Sequence, residues 1–338
     1  MLNFLEKHRT PIGITTGDPA GIGPEVALRA ALDPALREGS QPILFGDSEV
    51  LRSQAGALGL EFDFEVLSLY ELLAGRTLPA AGIVDVHADR KNIRPGIGSR
   101  AGGEAAARNV VACVEACLRG RLKAMCTAPL NKKYLNEAGY PYPGHTELLA
   151  YLCQAPSVAM AFLTEKLKIV LVTIHIPLAK VIESINRESI LEKLEITLRE
   201  FPRLGLPCRR VAVAGLNPHA GEEGLLGTDE IDRIEPAIRE ARRRWPQAVI
   251  DGPIPADTLF YRAAQGEFDV VLSLYHDQGL APIKLLGFGE AVNVTLGLPF
   301  VRTSVDHGTA FDIAGRGVAR PESMISAVRW ALRLTRPD

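Results

Sequence analysis

Residues 11–26 read PIGITTGDPAGIGPEV, and this stretch sets the class of fold. Pro11 to Thr16 is a short apolar and β-branched run of strand length. It enters a turn in which Gly17, Gly21 and Gly23 supply flexible backbone. Pro24 then stands where the first position of a helix would fall, so backbone amides are presented at a helix start. The unit is strand, turn, helix. The same rhythm is repeated outward from it, with strands expected at Pro42 to Phe45, Gly82 to Val86, Leu122 to Cys126, Val158 to Leu163, Ile169 to Ile174, Arg210 to Ala214, Val270 to Leu274 and Ala291 to Leu296. Segments of helical period lie between them. One near 103–119 carries Val110, Val111, Val114 and Leu118 on a single stripe, and one near 188–201 carries Ile190, Leu191, Leu194 and Leu198. After Thr228, an N-cap residue type, Asp229 and Glu230 suit the start of a helix that buries Ile231, Ile234 and Ile238. Alternating strands and helices give an α/β protein with mostly parallel sheets.

A chain of 338 residues, 47% of them hydrophobic, is long enough for two cores. The rhythm suggests one lobe of residues 1–138 plus 315–338, with the C-terminal helix (Pro321 to Leu334) returning to it, and a second lobe of residues 139–314. Lys and Arg total 38 against 40 Asp and Glu, scattered along the chain, which leaves no footprint for nucleic acid. The five cysteines form no CxxC pair and sit mainly in apolar stretches, as expected in a reducing compartment. MLNFLEKHRT lacks the basic-then-apolar pattern of an export signal, and runs such as Ile169 to Ile174 are far short of the roughly 18 residues of a membrane span. A cytoplasmic protein with a small-molecule partner is expected.

Three of the histidines fall just past expected strands: His175 after IVLVTI, His219 after VAVAGLNP and His276 after VVLSLY. The carboxyl edge of an open α/β sheet is where ligands bind. One such histidine is ordinarily a satisfied structural residue; three imidazoles on separate strands form a coordination shell for a borderline divalent ion. Asp257 (PADTLF) and Asp277 (YHDQG) stand near enough in motif to ligate, to orient a ligand's second nitrogen or to take up a proton, although both also suit ordinary capping. Lys284, Asn293 and Arg302 follow the third histidine, and His145 and Thr146 occupy a Pro-Gly loop, YPYPGHTE. Singly these are surface residue types; together they are anion-binding groups, Arg as a fork and Lys as a point charge. In the first turn Gly17, Asp18, Gly21 and Gly23 form an anion or cofactor loop, although glycine is also used there for steric reasons. Neither GxGxxG nor GxxxxGK[ST] occurs.

GIGPEV resembles the glycine loop of the isocitrate and isopropylmalate dehydrogenase superfamily. The chain as a whole resembles the 4-hydroxythreonine-4-phosphate dehydrogenase family, through ITTGDPAGIGPEV, APLNK, GHTELLA, IHIPL, LNPHAGE, GPIPADTLF, YHDQGL and NVTLGLPFVRTSVDHGTAFDIAGRG. The resemblance implies a two-domain α/β/α subunit with its active site in the interdomain cleft, and a homodimer whose clefts borrow residues from the neighbouring chain. It implies NAD or NADP as cofactor and a divalent metal, often zinc, with magnesium, manganese and cobalt as alternatives. Carried over, the metal ligands are His175, His219 and His276, and the substrate contacts His145, Thr146, Lys284, Asn293 and Arg302. Asp257, Asp277 and Lys284 are the expected catalytic residues. After YHDQGL the chain reads APIKLLGF, where the family commonly has proline directly after the leucine and an aromatic after the lysine; the lysine keeps its spacing. The implied reaction oxidises 4-phosphooxy-threonine to a β-keto acid that loses carbon dioxide, giving 3-amino-2-oxopropyl phosphate for pyridoxal phosphate synthesis. The alternatives are a phosphorylated threonate or erythronate, a carboxylated dihydrodiol, a phosphate acyltransferase of similar fold, or a binding protein without turnover.

Overall fold

The structure is a computed structural model that describes residues 9–287 and 289–335. The first eight residues, which include most of the stretch read for an export signal, lie outside the described residues, as do Phe288 and the last three. Twelve strands are described: β1 (Thr10–Thr15), β2 (Ser40–Gly46), β3 (Glu65–Leu67), β4 (Gly82–Asp85), β5 (Ala124–Thr127), β6 (Ala159–Leu163), β7 (Lys168–Leu171), β8 (Arg210–Ala214), β9 (Val249–Ile254), β10 (Val270–Ser273), β11 (Val292–Leu296) and β12 (Val301–Ser304). They divide between two compact units, one made of the chain up to Pro156 together with Leu298–Arg336, the other of Ser157–Gly297.

In the first unit the strand order is β3-β4-β2-β1-β5-β12, every pair parallel. Parallel strands are covered on both faces and so read as continuous apolar runs. All four residues of β5 are buried, as are Pro42–Gly46 of β2. The helix Arg100–Leu118 packs on β1, β2 and β5, and the helix Glu322–Leu334 on β12, β5 and β1. In the second unit the order is β11-β6-β7-β10-β8-β9. Here β6 runs antiparallel to both neighbours, while β7, β10, β8 and β9 are mutually parallel. Its core gathers Phe162, Ile169, Leu171, Leu259, Val271 and Ile283, all under a tenth exposed.

The units divide at 156/157 and 297/298, where the sequence rhythm suggested 138/139 and 314/315. The difference comes from two elements. The helix His145–Leu152 packs on Arg100–Leu118, and β12 pairs with β5, Arg302 opposite Met125. All nine expected strands are present. The unexpected ones are β3, three residues long, β9, an edge strand interrupted by Gly252 and Pro253, and β12, whose run is broken by a charged residue. On the first helical stripe Leu118 is exposed. The segment after Thr228 opens with a π-helical stretch, Glu230–Ile234, before the α-helix Glu235–Arg244. Ile234 and Ile238 are buried there but Ile231 is exposed, because the wider turn shifts it off the inner face. Among the described residues no helix is long and apolar enough to cross a membrane.

Candidate active site

Arg302 lies on β12 at the centre of a buried polar group in the first unit. It is 2% exposed, and its Nη2 donates to the Thr127 hydroxyl at the end of β5, 2.6 Å away. Burial brings its guanidinium down to about 10, an effect that Cys126 and Glu147 partly offset. Beside it His145 opens the helix His145–Leu152, with Thr146, itself 7% exposed, next in the first turn. Burial holds the His145 imidazole well below its ordinary range, and the charges of Arg302 and Lys132 push in the same direction. The ring is therefore neutral at pH 7, and its Nε2 has no partner among the described residues. Gly144, the N-cap, makes no side-chain bond and faces the Lys132 stem, with the Lys132 Cε 3.6 Å from where a Cβ would sit. A guanidinium, an ammonium, a neutral imidazole and the uncapped start of a helix make a place for a compact anion.

The second unit carries the three expected metal ligands. His175 lies four residues past the end of β7 and is exposed; His276 lies three past β10 and opens the helix His276–Gly287. Their ring centroids are 5.5 Å apart. Two imidazoles bound to one tetrahedral zinc ion at about 2.0–2.1 Å have centroids roughly 5 Å apart, so this pair fits a shared divalent ion. They line a cavity of about 410 Å³ together with Tyr275, Asp277, Ile176 and Leu178. The Nδ1 of His276 is 2.7 Å from Asp277 Oδ1, and the Nδ1 of His219 is 2.9 Å from Glu222 Oε2. A carboxylate on Nδ1 leaves the Nε2 lone pair outward, the arrangement that metal-bound histidines use. His219 shares this presentation, but among the described residues no three His, Cys, Asp or Glu side chains are grouped closely enough to hold an ion.

His219 is carried by an unusual turn. Five consecutive residues, His219 to Glu223, have φ between 44° and 83°, and only Gly221 among them is glycine. Each of the other four costs on the order of 1–2 kcal/mol in this left-handed conformation, so contacts elsewhere must impose it.

The remaining expected substrate and catalytic residues stand on several elements of the second unit. Lys284 lies two turns into the helix that His276 opens, and Asn293 lies on β11 opposite Phe162, with its Oδ1 unpartnered among the described residues. Asp257 is exposed in the first turn of the helix Ala256–Ala264, where its charge suits the helix end. In the first loop the glycines answer to the chain's own backbone. A Cβ on Gly17 (φ 67°) would lie 2.3 Å from the Pro129 carbonyl oxygen, and those on Gly21 and Gly23 equally close to Thr309 and Thr16, at 2.6 and 2.2 Å. Asp18 is fully buried, accepts from Ala20 N–H at 2.9 Å, and is pushed up to about 6 by burial, less what that bond returns. The sequence reading gives no role to Lys132, Thr127, Glu147 or Glu222, although Thr127 directly follows the expected strand Leu122 to Cys126 and the other three lie in APLNK, GHTELLA and LNPHAGE.

The model of the family described as pyridoxal phosphate biosynthetic protein PdxA matches residues 38–331. The chain belongs to the PdxA family. A 4-hydroxythreonine-4-phosphate dehydrogenase of Geobacter metallireducens is 42% identical, with 96% of this chain and 95% of that protein covered. A D-threonate 4-phosphate dehydrogenase of Salmonella typhimurium is 41% identical, with 96% and 98% covered. The crystal structure of 4-hydroxythreonine-4-phosphate dehydrogenase from Klebsiella pneumoniae matches with a TM-score of 0.87 at 40% identity, over 97% of this chain and all of that one. Membership of the PdxA family sets aside the acyltransferase and the binding protein without turnover.

Proposed function

We propose that the chain is an NAD- or NADP-dependent oxidoreductase that oxidises the secondary alcohol of 4-phosphooxy-threonine, the β-keto acid so formed decarboxylating to 3-amino-2-oxopropyl phosphate in pyridoxal phosphate synthesis. The observation that carries this is the pairing of His175 and His276, 5.5 Å between centroids, with the Asp277 carboxylate on the outer nitrogen of His276. Zinc is the ion this donor chemistry favours, with cobalt, manganese and magnesium as alternatives. Such an ion would polarise the reacting hydroxyl and then the new carbonyl, and the nicotinamide would accept hydride. Arg302 and Thr146 bind and orient the substrate's negative charge, with Lys284 and Asn293 completing the contacts. His145, neutral when the anion arrives, takes up a proton at Nε2 or donates a hydrogen bond there. Asp277 fixes the tautomer of His276, and Asp257 and Lys284 are the groups available for proton transfer. Gly17, Asp18, Gly21 and Gly23 are read as the cofactor-side loop.

The family resemblance also implies a homodimer with shared active sites. Supporting it, among the described residues no third His, Cys, Asp or Glu side chain groups with His175 and His276, and Leu178 beside His175 and Leu225 on the loop that follows His219 are 70% and 81% exposed. The five cysteines are free, which suits a cytoplasmic enzyme. A second reading, D-threonate 4-phosphate as substrate, is favoured by relatives of that name at the same level of identity. The two substrates differ by an amino against a hydroxyl group next to the carboxylate. Both should be assayed with both nicotinamides, with and without added zinc, cobalt or manganese. Reduction only with metal and 4-phosphooxy-threonine is expected; full activity after chelation refutes the metal role, and preference for the threonate selects the second reading.

A further inference from the structure

Glu230 takes no part in the chemistry proposed above, yet it is 2% exposed and both its oxygens are engaged. Oε1 accepts from the backbone N–H groups of Leu216 and Asn217, each at 2.7 Å, and Oε2 accepts from Asn217 Nδ2 at 2.9 Å. The same Nδ2 reaches Asp229 Oδ2 at 3.1 Å. These bonds grip the two residues immediately before Pro218 and His219. The turn then closes around the carboxylate. A Cβ on Gly221 would lie 2.8 Å from Glu230 Oε2 and from the Gly227 carbonyl oxygen alike, and one on Gly227 would lie 2.5 Å from Asn217 Nδ2, so neither position has room for a side chain. Residues 216–230 thus form a loop tied across its base by a buried carboxylate, and the left-handed stretch His219–Glu223 lies within it. Bonds from two adjacent backbone amides to one carboxylate oxygen fix the direction of the chain as well as its position.

We propose that Glu230 is a positioning residue: through Asn217 it imposes the left-handed turn that presents the His219 ring, and so sets the affinity of the chain for a divalent cation. The inference rests on the reading of His219 as a metal ligand. Glu222, on the Nδ1 of the same ring, orients the imidazole locally, whereas Glu230 orients the backbone that carries it. Outer groups of this kind are worth about 10–100-fold in metal affinity.

The test uses the full-length chain, stripped of metal and titrated with zinc by calorimetry under chelator competition, as wild type, Glu230→Gln, Asn217→Ala, His219→Ala and the Glu230→Gln/His219→Ala double variant. Glu230→Gln is expected to weaken zinc binding by about 10–100-fold, Asn217→Ala to weaken it less, and the double variant to bind no more weakly than His219→Ala alone. Amide exchange should rise at Leu216 and Asn217 in Glu230→Gln, with or without zinc. Wild-type affinity in Glu230→Gln beside a weakened His219→Ala overturns the clasp and leaves the metal reading standing; so do effects that multiply in the double variant. If His219→Ala binds zinc as well as wild type, the metal assignment of His219 falls and the clasp falls with it. Should Glu230→Gln not fold, Asn217→Ala decides: unchanged affinity there overturns the proposal.

Discussion

The anion group of the first unit and the imidazoles of the second are built on opposite principles. Arg302 is on a strand paired in parallel with β5, 2% exposed, with a hydrogen-bond partner, Thr127, on that neighbouring strand. His175 and His219 are exposed and stand on connections several residues past their strands. A buried cation on a sheet is held in place before any ligand arrives, at a cost in desolvation that an anion can repay. Exposed imidazoles cost little without an ion, but their geometry depends on whatever props up the loop. One region is preorganised by packing and the other by hydrogen bonds to backbone and ring nitrogens.

The largest expected effect is on the loop-borne side. Chelation, or His276→Ala, is expected to lower turnover by more than about a thousandfold if the metal acts as proposed, and steady-state assays with zinc restored should recover only the chelated wild type. On the buried side, Arg302→Ala is expected to raise KM by about a hundredfold or more, with kcat changed less, because a buried charged partner is lost. An unchanged KM would show that the substrate's charge is held elsewhere. Packing also fixes a pH dependence. The Asp18 carboxyl is raised from 3.8 to about 6 in the folded chain, so its contribution is fully present below pH 3.8 and is lost as the pH rises through 6. The loss approaches 3 kcal/mol as an order of magnitude, from about two pKa units. Asp18→Asn should therefore gain stability over wild type at pH 7.5 and not at pH 3.5, as read from urea midpoints at each pH. Smaller again, Asp277→Asn is expected to weaken zinc binding about tenfold without moving urea stability, since it touches only a ring nitrogen at the surface. Lastly, capture of a phosphate ester near His145, whose pKa is held low by burial and two cations, should draw a proton from solution near neutral pH. Calorimetry in buffers of different ionisation enthalpy reads that uptake directly.

Sequence patterns revealed what periodicity and strand-end placement can carry. The loop at residues 14–26 reads as strand, turn and helix because glycine and proline mark backbone geometry locally, and the structure explains those glycines by approach of the chain's own carbonyls. His175 and His276 were legible because a polar ring directly after an apolar run is conspicuous. Glu230 is legible as an acidic residue in the first turn of its helix, where it stands, but its tertiary partners are not. It resembles a charge placed for a helix N-terminus, whereas its partners are backbone amides 13 and 14 residues upstream, a relation with no local pattern. β12 was missed for a related reason: Arg302 interrupts the apolar run that would announce a buried strand, and only tertiary burial makes it compatible with one. Lys132 stands on an exposed helix face, so its relevance emerges only once Gly144 and His145 are folded against it.

The pairing of β12 with β5 joins residues separated by more than half of the chain, and it has a consequence for biosynthesis. Residues 157–297 are contiguous, so that unit can mature while the ribosome is still at work. The other unit cannot: until its last segment emerges, β5 stays an open edge, prone to pairing with a stranger, and the guanidinium that defines the anion pocket has not yet arrived. A nascent chain halted near residue 297 should therefore be the form that chaperones hold and that aggregates when they are withdrawn.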